Sequence, residues 1–472
     1  MPDRVLITSC SIYPVDPAPG FIDRGSILIE DGKIVSVAPD PDHDAAGPTV
    51  EAEVIDGRGL LAVPGFVDTH RHTWQTVFRG VAADWTLEEY GAGMHRAAKP
   101  LYRPQDTYIG NLLGRLEALH SGITTLLDWS HGLLTPEHSD AAHEGLRDAG
   151  GRSVFGYGGG FGLPGNDPIE DDLRRLRGGA FASDDGLVTL CLALRGPQYT
   201  RLEVTRSDVR LARELDLRVT VHGGSGPWGR NRPVGKMAEL GLLDDRTTIV
   251  HCNALADDEL AMMADRGASA SVSPDVEMQM GFGWPATGRL MAHGIRPSLS
   301  IDDCACMGGD MFGTMRTTMV AQRGLETQLA AGPGPAAGDA LTCRDVVEFA
   351  TIEGARACGL DDRIGSITVG KQADIVLIDT QDPTVFPVNN VPGTLVLSAH
   401  PGLVRTVLVA GKVVKRDGEL VGVDWKSVRA AALASRDALV ERLRGAGEKA
   451  GLDGAWRPAT DGFAGHEVNP TP

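Results

Sequence analysis

The chain has 472 residues, 42 % hydrophobic and 23 % charged, a balance that suits a globular enzyme with room for a barrel of about 250 residues and a second unit. Its net charge of −18 argues against nucleic acid or an anionic membrane as a partner. No apolar run reaches the ~18 residues of a membrane span. The start, MPDRVLITSCSIYPVDP, has no basic segment leading into an apolar one, so a cytoplasmic protein without a secretory signal is expected.

In chain order, residues 1–61 read as short strands, VLITSCSIYPV, GSILIEDGKIVSVAP and EVIDGRGLLAVPG, separated by turn residues. Residues 62–363 alternate apolar strand-like runs (TTLLDW, RSVFGYG, VTLCLAL, LRVTVHG, TTIVHCN, SASVSP, RPSLSID) with amphipathic stretches such as TRSDVRLARELD and DDELAMMADRG. That alternation predicts βαβ units and a parallel sheet. Eight units would close a barrel and six would leave an open sheet. The glycine-rich GYGGGFGLPG (156–165) lacks a phosphate-loop pattern and reads as a mobile loop over a barrel mouth. Residues 364–423 bring further strands, ADIVLIDT and VRTVLVAGKVVKRDGELVG. Neither terminal block has enough strands for its own core, so together they predict one small β-sandwich split by the middle of the chain. Residues 424–472 predict a helix and a poorly ordered tail. The seven cysteines are an odd, sparse set and predict buried or semi-buried free thiols.

Metal-type ligands stand at the ends of separate strand candidates. In GFVDTHRHTWQ, His70 and His72 are two residues apart, so an extended strand turns both imidazoles to one side. His222 ends LRVTVHG, His251 ends TTIVHCN, and Asp302 and Asp303 follow RPSLSI. Barrel enzymes keep their chemistry at the C-terminal ends of the strands. Neutral imidazole and carboxylate suit a divalent ion such as zinc, with iron also compatible.

This order of ligands, with VPGFVDTH near the start and GKQADIVLID near the end, resembles the amidohydrolase superfamily, in its cytosine deaminase, guanine deaminase and chlorotriazine hydrolase branch. The resemblance covers about residues 1–420. PGFVDTHRHTWQTVFRG, HSGITTLLDW, VHCNALADDEL and IGSITVGKQADIVLID carry most of it. It implies an α/β fold, a distorted (β/α)8 TIM-like barrel with a small β-sandwich built from both chain ends. It implies that His70, His72, His222 and Asp302 bind one divalent metal ion, zinc or iron. Asp302 would also accept a proton from the attacking water, and His251 would orient that water or polarise the substrate. Binuclear relatives use a lysine at the fourth strand; here VTLCLALRGPQ ends in Arg195, which favours one metal. Homodimers or larger homo-oligomers are common in the branch.

The sequence departs from the branch after the fifth strand. Deaminases there carry His-x-x-Glu; here the run is His222-Gly223-Gly224-Ser225, and a serine hydroxyl is a far weaker acid. Glu277, after the seventh strand candidate, is a candidate replacement acid. His131, Gln75, Trp74 and Arg195 are candidate substrate contacts, and Trp228 and Trp284 could stack on a flat ring. The resulting expectation is metal-dependent hydrolysis of a C–N bond in a small nitrogen heterocycle or cyclic amidine. The alternatives are loss of chloride or a thio group from an activated ring, hydrolysis of a carbamate or cyclic amide, and a non-catalytic scaffold.

Overall fold

Eight strands run parallel in chain order, Phe66–Arg71, Ile123–Ser130, Arg152–Gly158, Val188–Ala193, Val219–Gly223, Thr247–His251, Ser269–Val272 and Ser298–Leu299, each paired with the next. The computed structural model describes residues 4–15, 20–40, 52–159, 169–330 and 340–449. Every residue of Phe66–Arg71 and Ile123–Ser130 is buried, as expected of strands covered on both faces. Between them lie helices such as Asp257–Arg266. That helix buries Leu260 and Met263, carries three acidic residues in its first turn, and ends at Gly267 with φ +69°.

The last strand meets the first through Asp302. Its N–H donates to the His70 carbonyl at 2.9 Å, and its carbonyl accepts from His72 N–H at 2.8 Å. Below this seam, Thr69 Oγ1 lies 2.7 Å from Ser271 Oγ and 2.8 Å from Ser298 Oγ. Parallel strands wound in sequence around a filled interior, closed in this way, make the expected TIM-like barrel.

Both chain ends share a second, mixed sheet, the small sandwich unit of the expectation. The strand Leu60–Pro64 pairs antiparallel with Ile375–Asp379 and also contacts Arg4–Ile12, so the seam of the sheet joins residues over 300 positions apart. Alternation along this seam serves two cores. Ala62, Ile375 and Leu377 face an apolar cluster with Ile7, Ile27 and Leu408, while Leu61, Val63, Val376 and Ile378 belong to the barrel's core. A buried ion pair also ties the two units: Arg152 Nε donates to Asp374 Oδ2 at 2.9 Å, and Asp374 Oδ1 accepts from Ala410 N–H at 2.8 Å. The expected C-terminal helix spans Trp425–Lys449 and packs on Pro104–His120, where Ser435 and Arg442 donate to Asp106 at 2.7 and 2.6 Å. The expected disorder of the tail concerns residues outside the described ones, as does most of the predicted loop at 156–165. All seven cysteines are free and six are buried.

Candidate active site

His70, His72, His222, His251 and Asp302 converge at the C-terminal mouth of the barrel. Nε2 of His70 and of His72 lie 3.2 and 3.3 Å from Asp302 Oδ1, and Nε2 of His251 lies 3.9 Å from Oδ2. The rings of His70 and His222 are 4.8 Å apart, centre to centre. Two overlapping triads, His70–His72–Asp302 and His70–His222–His251, each keep their ligand atoms within 4.8 Å of one another. Two of these residues sit at strained backbone positions, His251 at φ +81° and Asp302 at φ +64°. Such strain costs of order 1–3 kcal/mol per residue and persists where the surrounding structure imposes it.

The residues fit a divalent cation. Burial pushes three of the imidazoles down: His70 below its ordinary value, His72 to about 3 and His222 well below its ordinary value, with neighbouring His70 adding to the effect on the last two. They are therefore neutral, the ligand form. Burial alone would raise Asp302, but the imidazoles of His70, His251 and His72 outweigh it and hold the carboxyl well below the usual range. Both ring nitrogens of His70 are buried without a well-aligned hydrogen bond, and a cation would satisfy Nε2. His72 Nδ1 lies 2.8 Å from the Trp129 carbonyl; donating there puts its proton on Nδ1 and leaves the Nε2 lone pair facing the cluster.

Residues 61–414 match the Amidohydrolase family. The chain belongs to that family. It is 32 % identical to a 5'-deoxyadenosine deaminase of Methanothermobacter thermautotrophicus over 90 % of this chain and 96 % of that one. A 5-methylthioadenosine/S-adenosylhomocysteine deaminase of Desulforudis audaxviator is 31 % identical over 93 % of this chain and 100 % of its own. Among solved structures, a zinc-bound adenosine deaminase from Xanthomonas campestris superposes with a TM-score of 0.81 at 25 % identity, covering 94 % of this chain and 99 % of that one. A zinc complex of atrazine chlorohydrolase from Arthrobacter aurescens shares the fold with a TM-score of 0.79 at 22 % identity, over 91 % and 99 %. The protein is thus a metal-dependent, deaminase-like amidohydrolase acting on carbon–nitrogen bonds other than peptide bonds.

Above the converging histidines and Asp302 this amidohydrolase has a cavity of about 320 Å³. Its floor is His72, His222, His251 and Asp302, and its walls include Tyr90, His95, His131, Tyr199, Ser225 and Phe282. Of the predicted substrate contacts, His131 lies on this wall. It stacks on His72 at 3.9 Å, and Trp74 Nε1 donates to its Nδ1 at 3.1 Å, which places its own proton on Nε2.

The other expected contacts lie off the cavity wall. Trp74 is wholly buried beneath it, because the tight turn Thr73–Phe78 dives into a cluster with Tyr102 and Met94. Gln75 is equally buried, its amide 2.6 Å from the Tyr90 hydroxyl, and so supports a wall residue. Arg195 is committed to Asp208: Nη2 donates to Oδ1 at 2.8 Å and Nε to Oδ2 at 3.2 Å. Trp284 is half exposed and does not line the cavity, and the side chain of Trp228 is outside the described residues.

Glu277, expected in the mouth as an acid, lies behind His251 instead. The short helix Pro274–Gln279 turns the carboxylate back, so that Oε1 accepts from Ser273 N–H at 2.7 Å and lies 3.3 Å from His251 Nδ1. Asn253 donates to Oε2 at 3.0 Å. A proton on His251 Nδ1 shared with this carboxylate leaves Nε2 turned to Asp302. Ser225 does face the cavity, but its Oγ accepts from Gln198 Nε2 at 2.7 Å and lies 3.1 Å from the Tyr199 hydroxyl. Gln198 Oε1 in turn accepts from Gly224 N–H at 2.7 Å. Sequence reasoning missed Tyr90, His95, Arg96 and Tyr199. Only their nearness to the first and fourth strand ends could have marked them.

Proposed function

We propose that this amidohydrolase hydrolyses a C–N bond in a small nitrogen heterocycle or cyclic amidine, with one divalent ion, zinc in preference to iron, held by His70, His72, His222 and Asp302. The observation that carries the reading is the convergence of neutral imidazoles and an ionised carboxylate on one pole of the cavity floor. A cation held there would supply a water acidic enough to attack at neutral pH. Asp302 is placed to take the proton of the attacking water and hand it to the departing nitrogen as the C–N bond breaks. His251, steadied by Glu277, holds the water or the oxyanion that develops on the attacked carbon. Ser225 can hydrogen-bond a ring nitrogen but, as a hydroxyl, does not transfer a full proton to it. The substrate is therefore one whose leaving amine needs no help beyond Asp302.

Ser225 also favours a second reading within the same site. A leaving group that departs without protonation, chloride or a thiolate, would make the missing glutamate irrelevant, and a cyclic amide or carbamate would need it less. The test is a heterocycle panel with the zinc-loaded enzyme, scored in parallel for ammonia, chloride and thiol. Ammonia release supports the first reading; chloride or thiol release without ammonia replaces it with the second. A homodimer or larger oligomer, a cytoplasmic location and unit boundaries near residues 61, 363 and 423 belong to the same proposal. Light scattering, fractionation and limited proteolysis check them.

A further inference from the structure

The upper wall of the cavity is unlike its floor. The segment Gly91–Ala98 is a π-helix, a conformation that is rare and concentrates at functional sites. It brings His95 and Arg96 to the cavity in consecutive positions. His95 packs 4.5 Å from His131, which in turn stacks 3.9 Å from His72, so a ladder of rings climbs from the metal-ligand floor to the rim. Arg96 stands at the top of that ladder. It is exposed, and its Nη1 would lie 3.8 Å from a Cβ built on Gly91, so the guanidinium folds back over the cavity side of the segment. It forms no ion pair with any described residue. Lys99 follows on the next turn and is buried, with Nζ donating to the His131 carbonyl at 3.2 Å.

The charge balance of the cavity is one-sided. Asp302 is the only carboxylate among the described residues that line it, and it belongs to the floor. The nearby Glu89 is turned away into the N-cap of its own helix, accepting from Thr86 N–H at 2.8 Å. Arg96 therefore meets no carboxylate of the described residues on the upper wall, in a protein whose net charge is −18. The field of such a charge is concentrated in a concave, low-dielectric site and selects ligands of opposite sign.

We propose that Arg96 is the recognition group for an anionic substituent of the substrate, a carboxylate carried on the heterocycle and presented at the rim while the scissile C–N bond meets the floor. A single planar guanidinium fork matches a carboxylate in two parallel hydrogen bonds. The role expected of Arg195 thus falls to a residue on a different element. The inference rests on the C–N hydrolysis reading only for which end of the ligand meets the floor.

The test separates binding from turnover. Purine, pyrimidine and triazine rings without an exocyclic amine, each carrying a carboxyethyl arm, its methyl ester or a phosphonate, are titrated by calorimetry into the zinc-loaded enzyme. At least one acid should bind about tenfold or more tightly than its own ester. R96Q should bring that acid-to-ester ratio close to one, and R96K should restore part of it. Acids and esters binding alike throughout, or a ratio unchanged in R96Q, would overturn the proposal. A phosphonate preferred over the carboxylate would overturn the carboxylate assignment. Ammonia release from the aminated counterparts tests the C–N reading separately, so either can fail without the other.

Discussion

Replacing Glu277 with glutamine tests whether that residue serves His251 or the substrate. The amide keeps the shape of the side chain and one acceptor oxygen, enough for Ser273 N–H at 2.7 Å. It removes the charge that faces His251 Nδ1 at 3.3 Å and turns an amino group toward Asn253. A hydrogen bond to a charged group contributes about 1.5–3 kcal/mol, which is about 10–100-fold in rate where it acts in the transition state. E277Q should therefore lower kcat by about 10–100-fold with KM changed little, since the carboxylate does not line the cavity. Bound zinc is checked by atomic spectroscopy and the fold by calorimetric melting, both run beside the steady-state assay. A raised KM with kcat intact would show a substrate contact and refute the placement behind His251. A variant within twofold of wild type in both parameters, zinc retained, would refute the positioning role altogether.

Three further outcomes follow from the same contacts. R152M leaves Asp374 charged and buried without its partner, which should cost about 3–5 kcal/mol in urea unfolding; the double variant R152M/D374L should recover much of that loss, because no lone charge remains. Zinc added to chelator-treated protein should raise Tm, by up to about 4 kcal/mol of stabilisation at a thousandfold excess over Kd, and D302N should abolish most of the shift in a calorimetric titration. Burial lowers Lys415 to about 8 from 10.5. Between those values the unfolded chain binds the proton and the folded chain does not, so this group adds stability as pH rises from 8 toward 10.5. The stability difference between wild type and K415M, followed by denaturation at pH 7.5 and pH 10, should shift in favour of wild type at the higher pH; no shift would refute the depressed value.

The candidate ligands were legible because strand geometry is regular. His70 and His72 share a face by the period of two, and the apolar runs before His222, His251 and Asp302 fix where each strand ends. The shared terminal sheet was legible for a different reason, since neither end of the chain carries enough strands to close a core alone. What failed lay past the strand ends, where the chain leaves any period. Trp74 and Gln75 are sunk by a tight turn, and Glu277 is swung round by a six-residue helix. Arg195 is captured by Asp208 thirteen positions on, a pairing that sequence spacing does not reveal. In GAGMHRAA an apolar pattern at helical spacing does not distinguish a π-helix from an α-helix, so nothing in it announces that His95 and Arg96 reach the cavity.

Asp302 connects the chemistry to the fold more tightly than its side chain alone suggests. Its backbone closes the barrel between His70 and His72, and its left-handed φ of +64° turns the carboxylate onto the same two residues. The ring closure and the ligand set are therefore one piece of geometry. Strain of order 1–3 kcal/mol at Asp302, with a similar amount at His251, opposes folding of the metal-free chain. A cation that takes up the buried nitrogens and the ionised carboxylate offsets that strain. Metal affinity and barrel stability should consequently change together when either strand end is altered, even by substitutions that leave His70, His72, His222 and Asp302 in place.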